Sequence, residues 1–211
     1  MTHSLHRQGT PDNLKNDFVV FAIAAQGYNA EGAEPKFRRF AEIVLRHNPV
    51  SFGDMRTGNF FSTPLEKILS SLRGNSIVHA VFNDEETVTA VLKELRDADL
   101  GISVVVSGLF GPVHEACRRV GLEIHTIEHS LGVWGKTEKL PDPAILQLTT
   151  MCGHGMIAFS LVEHLLAEIE AGRRSVKEAA RELAAQCQCG IFNPVRAEGI
   201  LQQLLVKEKA S

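Results

Sequence analysis

The segment Phe18–Ala25 (FVVFAIAA) constrains the fold more than any other part of the chain. It is eight residues long and has no polar side chain. A strand with one wet face alternates apolar and polar residues, so an unbroken apolar run predicts a strand covered on both faces. Such a strand needs a layer of structure above it and another below. The run is not a secretory h-region: it is short, and Asp12 and Asp17 precede it where positive charge is required. No run in the chain has the length of a membrane span.

Further along, strand and helix signals alternate. Residues 1–16 are polar, lack periodicity and read as an arm. A helix is expected from about Pro35 to His47, with Phe37, Phe40, Ala41 and Val44 on one face, stopped by Asn48-Pro49. Pro64 suits the first turn of a helix running to about Arg73. Ser76–Phe82 reads as a strand, and Asn83 or Asp84 as the cap of a helix to Ala98. Ile102–Val106 is a strand, a helix follows to Val120, Gly121 ends it, and Leu122–Ile127 reads as another strand. Beyond Trp134 the strand signals stop. Helices are expected over 143–150, 155–171, 175–186 and 194–206, with a capping box at Ser175/Glu178 and an N-cap at Asn193-Pro194. The alternation predicts an α/β fold: a parallel, doubly wound, Rossmann-like sheet over 17–135, followed by an all-helical part over 136–211.

The chain's net charge is −3, and besides eleven Phe its aromatic residues are Tyr28 and Trp134. That balance gives no electrostatic case for nucleic acid or an anionic membrane, and no base-stacking surface. The expected partner is a small molecule, and homo-oligomerisation stays open. Four cysteines in 211 residues do not make a disulfide framework, which points to the reducing cytoplasm.

Three of those cysteines stand in two tight motifs. Cys152 and His154 lie in TTMCGHGM; Cys187 and Cys189 lie in AQCQCGIFNP, after a gap of 32 residues. Thiolate and imidazole are ligands for zinc or an iron–sulfur cluster, so these four residues form a candidate metal set. Equally, Cys152 is expected just before a helix, where free N–H groups lower a thiol pKa and make it a candidate nucleophile or acid/base, with His154 beside it. A third alternative is a binding or sensing module in which the site is structural. The remaining cysteine, Cys117, falls on an apolar helix face and reads as core.

The eight residues MCGHGMIA resemble the surroundings of one catalytic cysteine of proline racemases, and Cys189-Gly190 is similar to the Cys-Gly of their second. In that family two thiols face each other across the substrate α-carbon, one taking a proton while the other gives one. The resemblance implies racemase- or isomerase-like chemistry, with Cys152 as one acid/base and Cys189 as its partner.

Other candidates are fewer. His125–His129 matches H-x-x-E-H, but in a strand the two imidazoles lie about 13 Å apart, too far for one ion. His129 instead marks a strand end, and with Gln26, Asn83 and Ser107 it is a candidate substrate-binding residue at the strand C-terminal ends. The N-terminal arm carries His3 and His6 and is long enough to fold over a site and lend His6 or Arg7.

Overall fold

The computed structural model describes residues 3–208. In chain order the elements are α1 (Pro11–Leu14), β1 (Phe18–Ile23), α2 (Glu34–Arg46), β2 (Ser51–Asp54), β3 (Gly58–Asn59), α3 (Leu65–Ser70), β4 (Ile77–Phe82), α4 (Glu85–Ala98), β5 (Ser103–Ser107), α5 (Phe110–Arg119), α6 (Pro143–Thr149), α7 (Phe159–Glu170), α8 (Val176–Gln186) and α9 (Pro194–Glu208). Asp84 caps α4 by accepting from the Thr87 N–H. Ser175 and Glu178 form the expected capping box of α8. Both caps satisfy N–H groups that a helix start leaves bare, so these starts are local properties of the sequence.

The five strands lie in the order β3-β2-β4-β1-β5, and every neighbouring pair is antiparallel. This corrects the expectation of a parallel, doubly wound, Rossmann-like sheet. The physical reason is specific. β1 and β2 both run antiparallel to β4, so they are parallel to each other with β4 between them. Likewise β4 and β5 are parallel to each other with β1 between them. Helices α2 and α4 therefore do connect parallel strands, as crossovers must. Each unit is split, and the two interleave. The expected strand at Leu122–Ile127 is absent: no strand lies between α5 and α6.

Strand β1 lies inside the sheet, between β4 and β5, and is covered on both faces. Phe18, Val20 and Ala22 pack with Phe37, Phe40 and Val44 of α2 and with Val88, Val91 and Leu92 of α4. Val19 and Phe21 pack with Leu148, Leu165, Leu183, Ile191 and Leu201 of the C-terminal helical layer. Alternate side chains thus enter different cores, which is why the run shows no polar member. No helix among the described residues is long and apolar enough to cross a membrane.

One buried carboxylate ties the two ends of the chain to the sheet. Asp17, just before β1, has a fully buried side chain. Its Oδ1 lies 2.5 Å from Nη1 of Arg7, and its Oδ2 lies 2.9 Å from Nη1 of Arg196 in α9. Asn193 donates to the same Oδ1 at 3.1 Å and to Asn83 Oδ1 at 2.9 Å. Burial alone would raise this carboxyl's pKa; Arg7 and Arg196 outweigh it and hold the group below the ordinary carboxylate value.

Removing one partner of such a cluster strands the others, so Asp17→Asn should cost about 3–5 kcal/mol, read as a lower urea midpoint. A loss below about 1 kcal/mol would contradict the clamp. Because the folded pKa is depressed, the carboxylate's contribution is complete above the unfolded value of 3.8 and is lost as pH falls from there through the folded value. The acid limb of the stability curve should therefore flatten in Asp17→Asn.

Candidate functional site

The Cys187–Gly190 turn is placed by β2 and β3 from below. Cys187 ends α8. Asn59 in β3 donates from its buried Nδ2 to Ala184 O at 3.1 Å and to Cys187 O at 2.6 Å, closing the helix end. Gly190 turns the chain at φ +77° and donates its N–H to Cys187 O at 3.0 Å. The turn then lies directly on the β2 backbone: a Cβ on Gly53 would stand 2.8 Å from Cys189 O, and one on Gly190 would stand 2.8 Å from Gly53 N. Glycine is required on both sides of that contact.

The second loop comes from the stretch between α6 and α7. Helix α7 starts at Phe159, seven residues after Cys152, so Cys152 is not at a helix N-terminus as the sequence suggested. The two cysteine loops meet nonetheless. The Cys152 and Cys187 thiols are close enough to shift each other's ionisation. Cys187 Sγ lies 3.9 Å from Cys189 Sγ, and Cys189 Sγ lies 3.7 Å from Nδ1 of His154. All three cysteines are buried, and His154 is exposed above them.

Protons are unevenly distributed over these sulfurs. The bond with Cys187, together with burial, raises the Cys152 pKa well above the ordinary thiol range, although the N–H groups of His154 and Met156 point at its sulfur and oppose the rise. Cys187 is eased by the bond with Cys152, but Cys189 and burial outweigh that and push it up to about 12. Cys189 moves the other way. The bond from Cys187 lowers it against burial, and the Ile191 N–H and the Arg7 charge add to the lowering. Ionisation is therefore favoured at Cys189 and disfavoured at Cys152.

The arm does reach this region. Arg7 donates from Nη2 to Ile191 O, two residues from Cys189. Gln8 N–H donates to Thr150 Oγ1 at 3.0 Å, just before the Cys152 loop. His6 lines an open groove of about 800 Å³, with Lys139, Thr150, Glu163 and the two glycines that flank His154. The side chain of His3 lies outside the described residues.

The four substrate candidates do not gather. In an antiparallel sheet the strand C-terminal ends alternate between the two edges of the layer. Gln26 follows β1 and lines a separate recess of about 470 Å³ with Tyr28 and Asn75. Asn83 and Ser107 lie at the opposite end, near the start of β1. Asn83 is held by Asn193, and His129 is exposed with its ring 6.1 Å from Phe110. Among the described residues, no group of three or more His, Cys, Asp or Glu is arranged to hold a metal ion. The arrangement of these side chains thus lends no support to the expected zinc or iron–sulfur site. Sequence reading missed Asp17, Gly53 and Asn59. A lone acid abutting a wholly apolar strand was the one available signal, for Asp17.

No protein-family model matches the chain, no curated protein matches it, and no solved structure matches it.

Two measurements check the site. An ultraviolet thiolate titration of the folded protein should show one of the three sulfurs ionising at lower pH than the other two, a step lost in Cys189→Ser and kept in Cys152→Ser. Gly53→Ala should cost about 1–3 kcal/mol by overpacking and should shift that titration, since the turn carrying Cys189 must move. An unchanged titration would mean the turn is not seated on β2 as described.

Proposed function

We propose that this is a thiol-dependent protein whose working group is the Cys189 thiolate. It acts as base or nucleophile on a small molecule held in the adjoining groove. The observation that carries this reading is the row Cys152, Cys187, Cys189, His154, in which the Cys189 pKa is lowered while its two sulfur neighbours are raised. A thiolate next to a thiol can take a proton and have one returned by its neighbour, which is the requirement for acid/base chemistry at carbon. The proline racemase resemblance of MCGHGMIA supports the same class, with the roles redistributed. Cys189 is the base, and the Cys187 and Cys152 thiols are the proton source.

Gly153 and Gly155 line the groove on either side of His154, whose Nδ1 lies 3.7 Å from Cys189 Sγ. Gly153 and Gly155 have φ of 72° and 68°, so the loop carrying His154 is built on two permissive residues. The groove offers apolar walls at Ile157 and Phe159, with Lys139, Glu163 and His6 as polar groups. That lining suits a small polar organic molecule. A reducing compartment such as the cytoplasm keeps the three thiols available.

The test is modification by methyl methanethiosulfonate below neutral pH, mapped by peptide mass spectrometry. Cys189 should be labelled first. Cys187→Ala should slow that labelling by about tenfold or more, because the lost thiol hydrogen bond is worth over a kcal/mol to a charged acceptor. Equal labelling of all three cysteines would overturn the reading. So would zinc or iron bound near one per chain and released by Cys189→Ser.

A further inference from the structure

Strand β5 is an edge, and nothing among the described residues protects it. Its sequence, Ser103–Ser107 (SVVVS), has no charge and no proline. Only β1 pairs with it. Natural sheets blunt such edges with charges, prolines, bulges or very short strands. The opposite edge of this sheet follows that rule, for β3 has two residues. On β5 the open row of backbone groups is flanked by exposed apolar side chains.

Ser103, Val105 and Ser107 pair with Ile23, Phe21 and Val19, and so share their face of the sheet. The C-terminal helices cover that face over Val19, Phe21 and Val81. They stop short of β5, where Val105 is 39% exposed. The chain that follows α5 does not close the gap. Among the described residues, Glu123–Trp134 makes no backbone–backbone hydrogen bond, and Ile127, Leu131, Val133 and Trp134 are each more than half exposed. Val105 and Phe110, 39% and 52% exposed, add to these apolar side chains; a standard interface takes roughly 800 Å² from each partner.

We propose that the chain forms a homodimer through this edge. A second copy, related by a two-fold axis, adds its β5 antiparallel to this one and covers the stretch 124–134. The sequence of β5 is a palindrome centred on Val105. A two-fold axis there places valine opposite valine and serine opposite serine, with no charge in the pairing. The result is a continuous ten-stranded sheet whose only remaining edges are the two-residue β3 strands.

The experiment is light scattering coupled to size exclusion on the full chain, with hydrogen exchange alongside. Wild type should have twice the 23.1 kDa of one chain. Val105→Lys, which puts two ammonium groups face to face at the axis, should halve that mass while its far-UV circular dichroism is unchanged. Trp134→Ser alters a side chain 82% exposed and should shift dissociation to higher protein concentration. In wild type, the Ser103–Ser107 amides should exchange more slowly as concentration rises. A monomer at every concentration, as when 122–127 swings in as a sixth strand of its own sheet, would overturn the proposal. A dimer whose mass is unchanged by both substitutions, or edge amides whose exchange ignores concentration, would do the same.

Discussion

The charge balance around Asp17 organises much of this molecule. One buried carboxylate faces two buried guanidiniums, Arg7 and Arg196. A buried excess of one positive charge is costly unless an anion lies nearby. That excess is felt at Cys189, whose thiol pKa is lowered in part by Arg7 itself. The same arginine donates to Ile191 O, in the segment that follows the cysteine turn. The clamp thus joins the arm, the start of β1, the N-cap of α9 and the thiol group into one electrostatic unit. A change at Asp17 would reach the sulfurs without touching them.

Helices were legible in the sequence because their signals are local. Ser175, Glu178 and Asp84 act within one turn of the residues they cap. Burial of β1 on both faces was also legible, because a missing alternation has no other cause in a strand. Strand direction was not. The rule that a helix crossover joins parallel strands holds for β1 and β2 and for β4 and β5. What the rule leaves open is whether those strands are neighbours. Interleaving the two units turns every hydrogen-bonded pair antiparallel while each crossover stays unchanged. That one difference separated Gln26 from Asn83 and Ser107, since a shared end exists only when all strands point the same way.

The site was half legible for a related reason. Spacing alone selected Cys152, His154, Cys187 and Cys189. Which sulfur carries the charge depends on contacts between loops that are far apart in sequence. Cys152 has N–H groups aimed at it, as a helix start would provide, yet its bond with Cys187 and its burial outweigh them. Cys189 lies at the end of the sulfur row, with a thiol on one side and His154 on the other. In a row of neighbouring thiols, ionisation is favoured where donors converge on one sulfur. Here that sulfur is Cys189, which also feels Arg7.

The sheet order also separates the two surfaces of interest. The Cys187–Gly190 turn sits on β2, and β4 and β1 lie between β2 and the β5 edge. At about 4.8 Å per strand, the turn is some 14 Å from that edge, so a partner seated on β5 does not approach the sulfurs. The two regions still share one connection. Ser130, in the exposed stretch after α5, is hydrogen-bonded to His6 Nδ1 at 3.3 Å, and His6 lines the groove. Ordering that stretch against a second copy would fix one wall of the groove without approaching the thiols.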